Sequence, residues 1–294
     1  MTELRRSALF VPAGEQRRYP RAAVAGADVI VLDLEDAVPP EGKERARDQI
    51  ETAREVIGAG WFTVRVNAEP ALIAADIEAC AASRIDEVLL PKVGSAADVA
   101  AARQLCARHD GWQPVISILV ETLAAVRDLP ALLAGAGPIG SVALGMEDLA
   151  ADLVLAAPGR TASGDLHWLH AQLLLWAGSA GGTPVGLLGD LGNFTDLDEF
   201  GRAAGAAWRA GYRGTYCIHP AQVPVANAAY APDDRDLDWA AEVLSSAADA
   251  RSQGRGAASV GGRMVDAPTT LRAQRIIDYD QAVRGRPGPP AAGG

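Results

Sequence analysis

The chain has 294 residues, 49% hydrophobic and 22% charged, with a net charge of −10 at pH 7. Such a composition suits a globular protein with a sizeable core, and an acidic chain without a Lys/Arg block argues against nucleic acid or an anionic membrane as partner. No apolar run approaches the ~18 residues of a membrane span, and the three scattered cysteines (Cys80, Cys106, Cys217) fit neither a disulfide framework nor a zinc spacing, so a reducing cytoplasm is the expected setting.

In chain order, short β-type runs alternate with Ala-rich helical segments. The runs are SALFVP (7–12), VIVLDLED (29–36), WFTVRVN (61–67), EVLLPK (87–92), PVISILVET (114–122), GSVALGMED (140–148), TPVGLL (183–188) and GTYCIHP (214–220). Segments between them, such as EGKERARDQIETAREVIGAG and DVAAARQLCARHDG, carry helical patterns closed by Gly. Alternation of this kind predicts a parallel sheet, and eight units predict an α/β fold of the (β/α)8 TIM-barrel type. A helical C-terminal part follows, with DDRDLDWAAEVLSSAADARSQG (233–254), a Gly-rich loop or hairpin, and a last helix beginning near Pro268. The expected division is a barrel over 1–224, a lid or oligomer arm over 225–285, and a disordered tail over 286–294.

Nearly every strand starts apolar and finishes polar: Asp33, Glu35 and Asp36, then Arg65 and Asn67, Lys92, Glu121, Glu147 and Asp148, and His219. Catalytic groups in such barrels sit at the C-terminal strand ends. Glu121 and Asp148 end adjacent strands, where two carboxylates that converge call for a proton or a cation between them. All-oxygen ligands suit Mg2+ or Mn2+, with Glu35 and Asp36 placed to hold the ion's waters. Zinc is disfavoured: His109 lies on a helical run, His167 and His170 fall in an irregular segment, and only His219 reaches a strand end. Arg65, between two valines, needs an anion: a substrate carboxylate, or Asp33 or Glu35 of the barrel itself. Lys92 carries the same two readings, and His219 reads equally as structural or catalytic.

The succession LFVP, VIVLDLEDAV, VRVN, LLPKV, LVET, GMEDLAADL, CIHPAQV and GRMVDAP resembles the citrate lyase β-subunit-like proteins of the HpcH/HpaI aldolase and malyl-CoA lyase superfamily, over residues 5–280. The resemblance implies a Mg2+-dependent carbon–carbon lyase, a homotrimer or hexamer, that cleaves or forms a 3-hydroxyacyl-CoA such as malyl-, citramalyl- or citryl-CoA. By motif it makes Glu121 and Asp148 the metal ligands, Glu35 and Asp36 the support for the metal's waters, and Arg65 the grip on the oxo-acid carboxylate. It further implies that Asp266 of GRMVDAP reaches a neighbouring subunit's site as an acid or base, and that Arg17 lies near the coenzyme A phosphates. The chain departs from the family at strand seven, PVGLLGD, where relatives often carry an Asp, and in the preceding helix LHWLHAQLLLWAG, which has no Arg. A CoA-independent aldolase, a malate synthase-like condensing enzyme and a non-catalytic binding protein are the alternatives.

Overall fold

The computed structural model describes residues 4–58, 60–153, 166–254 and 258–286; residues 287–294 of the expected tail lie outside them. All eight expected strands form: β1 (Ser7–Pro12), β2 (Val29–Asp33), β3 (Trp61–Arg65), β4 (Glu87–Leu90), β5 (Val115–Val120), β6 (Ser141–Leu144), β7 (Thr183–Val185) and β8 (Thr215–Cys217). They run parallel in the order β7-β6-β5-β4-β3-β2-β1-β8. The open side is closed by Gly186 N donating to Gly214 O (2.8 Å) and Arg213 N to Pro184 O (3.0 Å). The result is a (β/α)8 barrel.

A parallel sheet is buried on both faces, which is why runs such as VIVL and VISILV are apolar throughout. Val29, Val31, Leu89, Leu119 and Val185 fill the barrel, while Leu32, Val64, Val88 and Ile118 belong to the larger surrounding core. The base is polar: Arg5 grips buried Glu87 with two bonds of 3.0 and 2.5 Å, and Trp61 Nε1 donates to the same carboxylate. At the seam, Ser7 pairs with Thr215. A Cβ on Gly214 would stand 1.6 Å from the Arg5 carbonyl oxygen, so only glycine allows the strands this close.

Several strands stop earlier than their polar endings imply. β2 ends at Asp33, whose carboxylate accepts the backbone N–H of Glu35 (2.9 Å) and of Ala37 (3.1 Å) and so folds the chain into a turn. Glu35, Asp36, Asn67, Lys92, Glu121 and His219 therefore follow their strands, and Glu147 and Asp148 occupy the first turn of the helix Met146–Asp152.

His167 and His170, expected in an irregular segment, lie on the helix His167–Ala180. This helix is apolar on nearly every side, so it shows little amphipathic period, and it is held by burial of Leu169, Leu173 and Ala177. His170 Nδ1 and the Tyr212 hydroxyl share a 2.6 Å hydrogen bond. Tyr212 also fills the departure at strand seven: a Cβ on Gly186 would meet its ring at 2.6 Å.

Burial, helped by the charge of His167, lowers the His170 pKa to about 4. The unfolded chain therefore takes up a proton below about pH 6.5 that the folded chain refuses. Stability from this group is complete above pH 6.5 and is lost as pH falls towards 4, by about 3 kcal/mol at the limit. Denaturant titrations of wild type and His170→Phe over that window are expected to diverge, with the variant losing less. Parallel curves would refute it.

A second compact unit begins at Ala231. It contains the helix Asp234–Ser252, the hairpin β9 (Ala258–Val260) and β10 (Arg263–Val265), and the helix Ala267–Arg284. Ala240, Val243, Val265 and Ala273 form its core. The hairpin turns through Gly261 and Gly262, both at positive φ (54° and 74°), as a two-residue turn of right-handed twist requires. Among the described residues, no helix is long and apolar enough to cross a membrane.

Candidate active site

The site grows from a register. β2 and β3 pair Asp33 with Arg65, so acid and base leave adjacent strands at one level. Arg65 Nε and Nη2 donate to the two Asp33 oxygens at 2.8 and 2.7 Å, a bidentate clamp. Its remaining nitrogen, Nη1, lies 3.0 Å from Glu35 Oε2 and 3.1 Å from Asp36 Oδ2. The guanidinium also rests over the Phe10 ring, 5.0 Å from its centroid. Of the two readings of Arg65, the barrel's own acids account for every nitrogen, while Nη1 sits on the side of the exposed Asp36. Asp33, unexplained by its strand position alone, is the partner that lets a guanidinium lie buried.

Lys92 Nζ lies 2.7 Å from Glu35 Oε1 and 3.7 Å from Asp36 Oδ1. Its ammonium thus pairs with acids of the neighbouring loop. Burial pushes the Glu35 carboxyl up, against the pull of the Lys92 hydrogen bond and the Arg65 charge. Lys43, which sequence reasoning missed, donates to the carbonyls of Leu34 (2.8 Å) and Glu35 (2.7 Å) and pins the β2 loop. Nothing in its helical run, KERAR, marks it beforehand.

Glu121, just past β5, is buried, and its Oε2 accepts the Lys92 backbone N–H at 2.6 Å. Burial raises its pKa to about 7, with the charges of Glu35 and Asp148 pushing the same way. Gly145, after β6, is the other residue that the sequence concealed. A Cβ there would fall 2.4 Å from Glu121 Cγ and 2.6 Å from Oε1, so glycine makes the room in which this carboxylate lies. Asp148 follows three residues on, exposed.

These residues fit a divalent cation. Among the described residues, the carboxylates of Asp33, Glu35, Asp36, Glu121 and Asp148 outnumber the cations that meet them, Arg65 and Lys92, while Lys43 holds backbone carbonyls of the β2 loop. Among the described residues, no three His, Cys, Asp or Glu side chains form a ready ligand set. A magnesium-type ion, which takes one or two carboxylates and completes its shell with water and substrate, suits such a place better than a structural metal.

The other predicted residues have partners of their own. Arg17 is exposed on the short helix Gln16–Arg18 after β1 and pairs with Glu15 at 3.2 Å. His219 Nδ1 accepts the Ala221 N–H, and its ring stacks on Phe194 at 5.2 Å. Asp266, in the second unit, caps the helix Ala267–Arg284 by accepting Thr269 N–H (2.9 Å) and Oγ1–H (2.6 Å), bonds that hold its carboxyl below the usual range.

Residues 6–220 match the HpcH/HpaI aldolase/citrate lyase family. The chain belongs to that family. Among its relatives is the L-malyl-CoA/beta-methylmalyl-CoA lyase of Rhodobacter capsulatus, 30% identical over 93% of this chain and 94% of the relative. A citrate lyase subunit beta-like protein of Mycobacterium tuberculosis is 34% identical over 92% and 93% of the two chains. The crystal structure of CitE from Mycobacterium tuberculosis, in complex with magnesium, acetoacetate and coenzyme A, superposes with a TM-score of 0.76. It shares 32% identity, covering 95% of this family member and 99% of the CitE chain.

Proposed function

We propose that the protein is a Mg2+-dependent carbon–carbon lyase that cleaves or forms a 3-hydroxyacyl-CoA such as malyl-, citramalyl- or citryl-CoA, giving an acyl-CoA and an oxo acid. The observation that carries this reading is the excess of carboxylates over cations at the barrel mouth, beside Glu121 and Asp148. The kinship with named malyl-CoA and citrate lyases supports it. Glu121 and Asp148 would hold the ion, with Glu35 and Asp36 supporting its waters; when bound, it supplies Lewis-acid charge to the oxo-acid oxygens.

In the cleavage direction the 3-hydroxyl proton passes to a base. The bond between the hydroxyl-bearing carbon and the thioester's α-carbon breaks. Its electron pair goes to the thioester enolate as the oxo acid's carbonyl forms. Arg65 Nη1, on the Asp36 side, orients the oxo-acid carboxylate and balances charge that builds on oxygen. Asp266, contributed by a second copy in a homotrimer or hexamer, acts as acid or base at the α-carbon: held ionised, it takes the α-proton in the condensing direction and returns it in cleavage. Arg17, exposed after β1, meets the coenzyme A phosphates. Lys92 holds the Glu35 edge of the pocket.

A panel of 3-hydroxyacyl-CoA esters and free hydroxy-oxo acids, incubated with Mg2+ or with EDTA and read by mass spectrometry, tests the reading. Cleavage of a CoA ester that EDTA stops is expected. Turnover of a free acid alone would make the protein a CoA-independent aldolase, and EDTA-insensitive turnover would remove the metal.

A further inference from the structure

Only two non-glycine residues among those described have positive φ: Arg84 (45°) and Lys92 (52°). Arg84 follows the helix Pro70–Ala82 in an ordinary turn. Lys92 has no such excuse. A left-handed L-residue is disfavoured, and such strain persists only where the surroundings impose it.

What is gained is visible in the main chain. Pro91 has no N–H and so ends the β4 ladder. Lys92 carries the first N–H beyond it, and this group donates to Glu121 Oε2 at 2.6 Å. The next residue returns to the sheet, with Val93 N donating to Leu119 O at 3.3 Å. The chain thus makes a local kink that takes a single N–H out of the ladder and turns it onto the carboxylate of Glu121, the residue just past the neighbouring strand. On the other side of that carboxylate, the missing Cβ of Gly145 leaves room for Oε1.

We propose that Lys92 is a positioning residue for the cation site, acting through its left-handed backbone: its N–H fixes Oε2 of Glu121, so that Glu121 presents Oε1 alone to the ion. This rests on the metal reading above for its consequence, but the geometry is independent of which substrate is used. The role belongs to the peptide, whereas the ammonium serves Glu35.

Two variants that both lack the ammonium separate the two parts. Lys92→Gly accepts positive φ without strain and keeps the N–H, whereas the β-branched side chain in Lys92→Val resists that conformation. By calorimetric titration with Mg2+, Lys92→Gly is expected to bind at least as tightly as wild type, and Lys92→Val about tenfold more weakly than Lys92→Gly. Equal affinities in the two variants would overturn the proposal. If Lys92→Val does not fold, Lys92→Ala gives the same contrast in weaker form, about fivefold. Failure of wild type to bind Mg2+ would instead overturn the metal reading. The positioning role is then decided by crystal structures of the variants: Glu121 is expected on residue 92 N–H in Lys92→Gly and displaced in Lys92→Val or Lys92→Ala, and an unmoved Glu121 would overturn it.

Discussion

Glu121→Gln is expected to abolish turnover, by roughly a thousandfold, while leaving the barrel folded. Gln keeps the shape and the acceptor that the Lys92 N–H needs. It removes a charge that burial and the Glu35 and Asp148 carboxylates already disfavour, so thermal stability is expected to hold or rise. The loss should appear in two measurements together: steady-state cleavage of the CoA ester and calorimetric Mg2+ binding. Retained Mg2+ affinity in the variant would remove Glu121 from the ligand set, and undiminished turnover would remove it from catalysis.

Arg65→Ala is expected to lose activity for a mixed reason. Asp33 and Glu35 are both buried, and taking away their shared cation leaves uncompensated charge, at a cost of about 3–5 kcal/mol in urea denaturation. The double variant Arg65→Ala/Asp33→Asn relieves part of that cost, because one stranded carboxylate is gone. Its stability is expected to recover while its turnover does not. Recovery of both would show that Arg65 serves only to neutralise Asp33. The double variant also tests Asp266. Mixed with Asp266→Asn, which preserves a side-chain oxygen for the helix cap, it should regain activity if subunits exchange and one copy supplies the acid to another. Verified mixed oligomers that stay inactive would exclude a trans-acting Asp266.

The barrel was legible because its strands carry an unambiguous signal. VIVL, VISILV and the other runs are apolar on both faces, and eight of them alternate with helices. Strand ends were less legible. A run of acids after Leu32 does not reveal where pairing stops, since that depends on the Asp33 side chain capturing the N–H groups of Glu35 and Ala37. The helix around His170 shows no period of its own, because its residues are apolar on nearly every side; the family resemblance alone marks LHWLHAQLLLWAG as helical. In the candidate site, Arg65 announced itself by chemical oddity between two valines, and the acids did so at their strand ends, whereas Lys43 did not. Gly145 and the Lys92 peptide did not. Their contributions are an absent Cβ and a backbone angle, neither of which is a side-chain property that a sequence displays.

The β1–β8 seam has a consequence for how the protein comes into being. Ser7 and Thr215 are register partners, and Gly214 fits against the Arg5 backbone. The barrel's first strand therefore waits for its last, and β1 keeps an unsatisfied edge throughout synthesis of the strands between. Long-range pairing of this kind makes folding slow and exposes nascent chains to edge-to-edge association. Arg5 and Arg6, charged residues just before that waiting strand, are the type of residue that discourages such association before the barrel can shut.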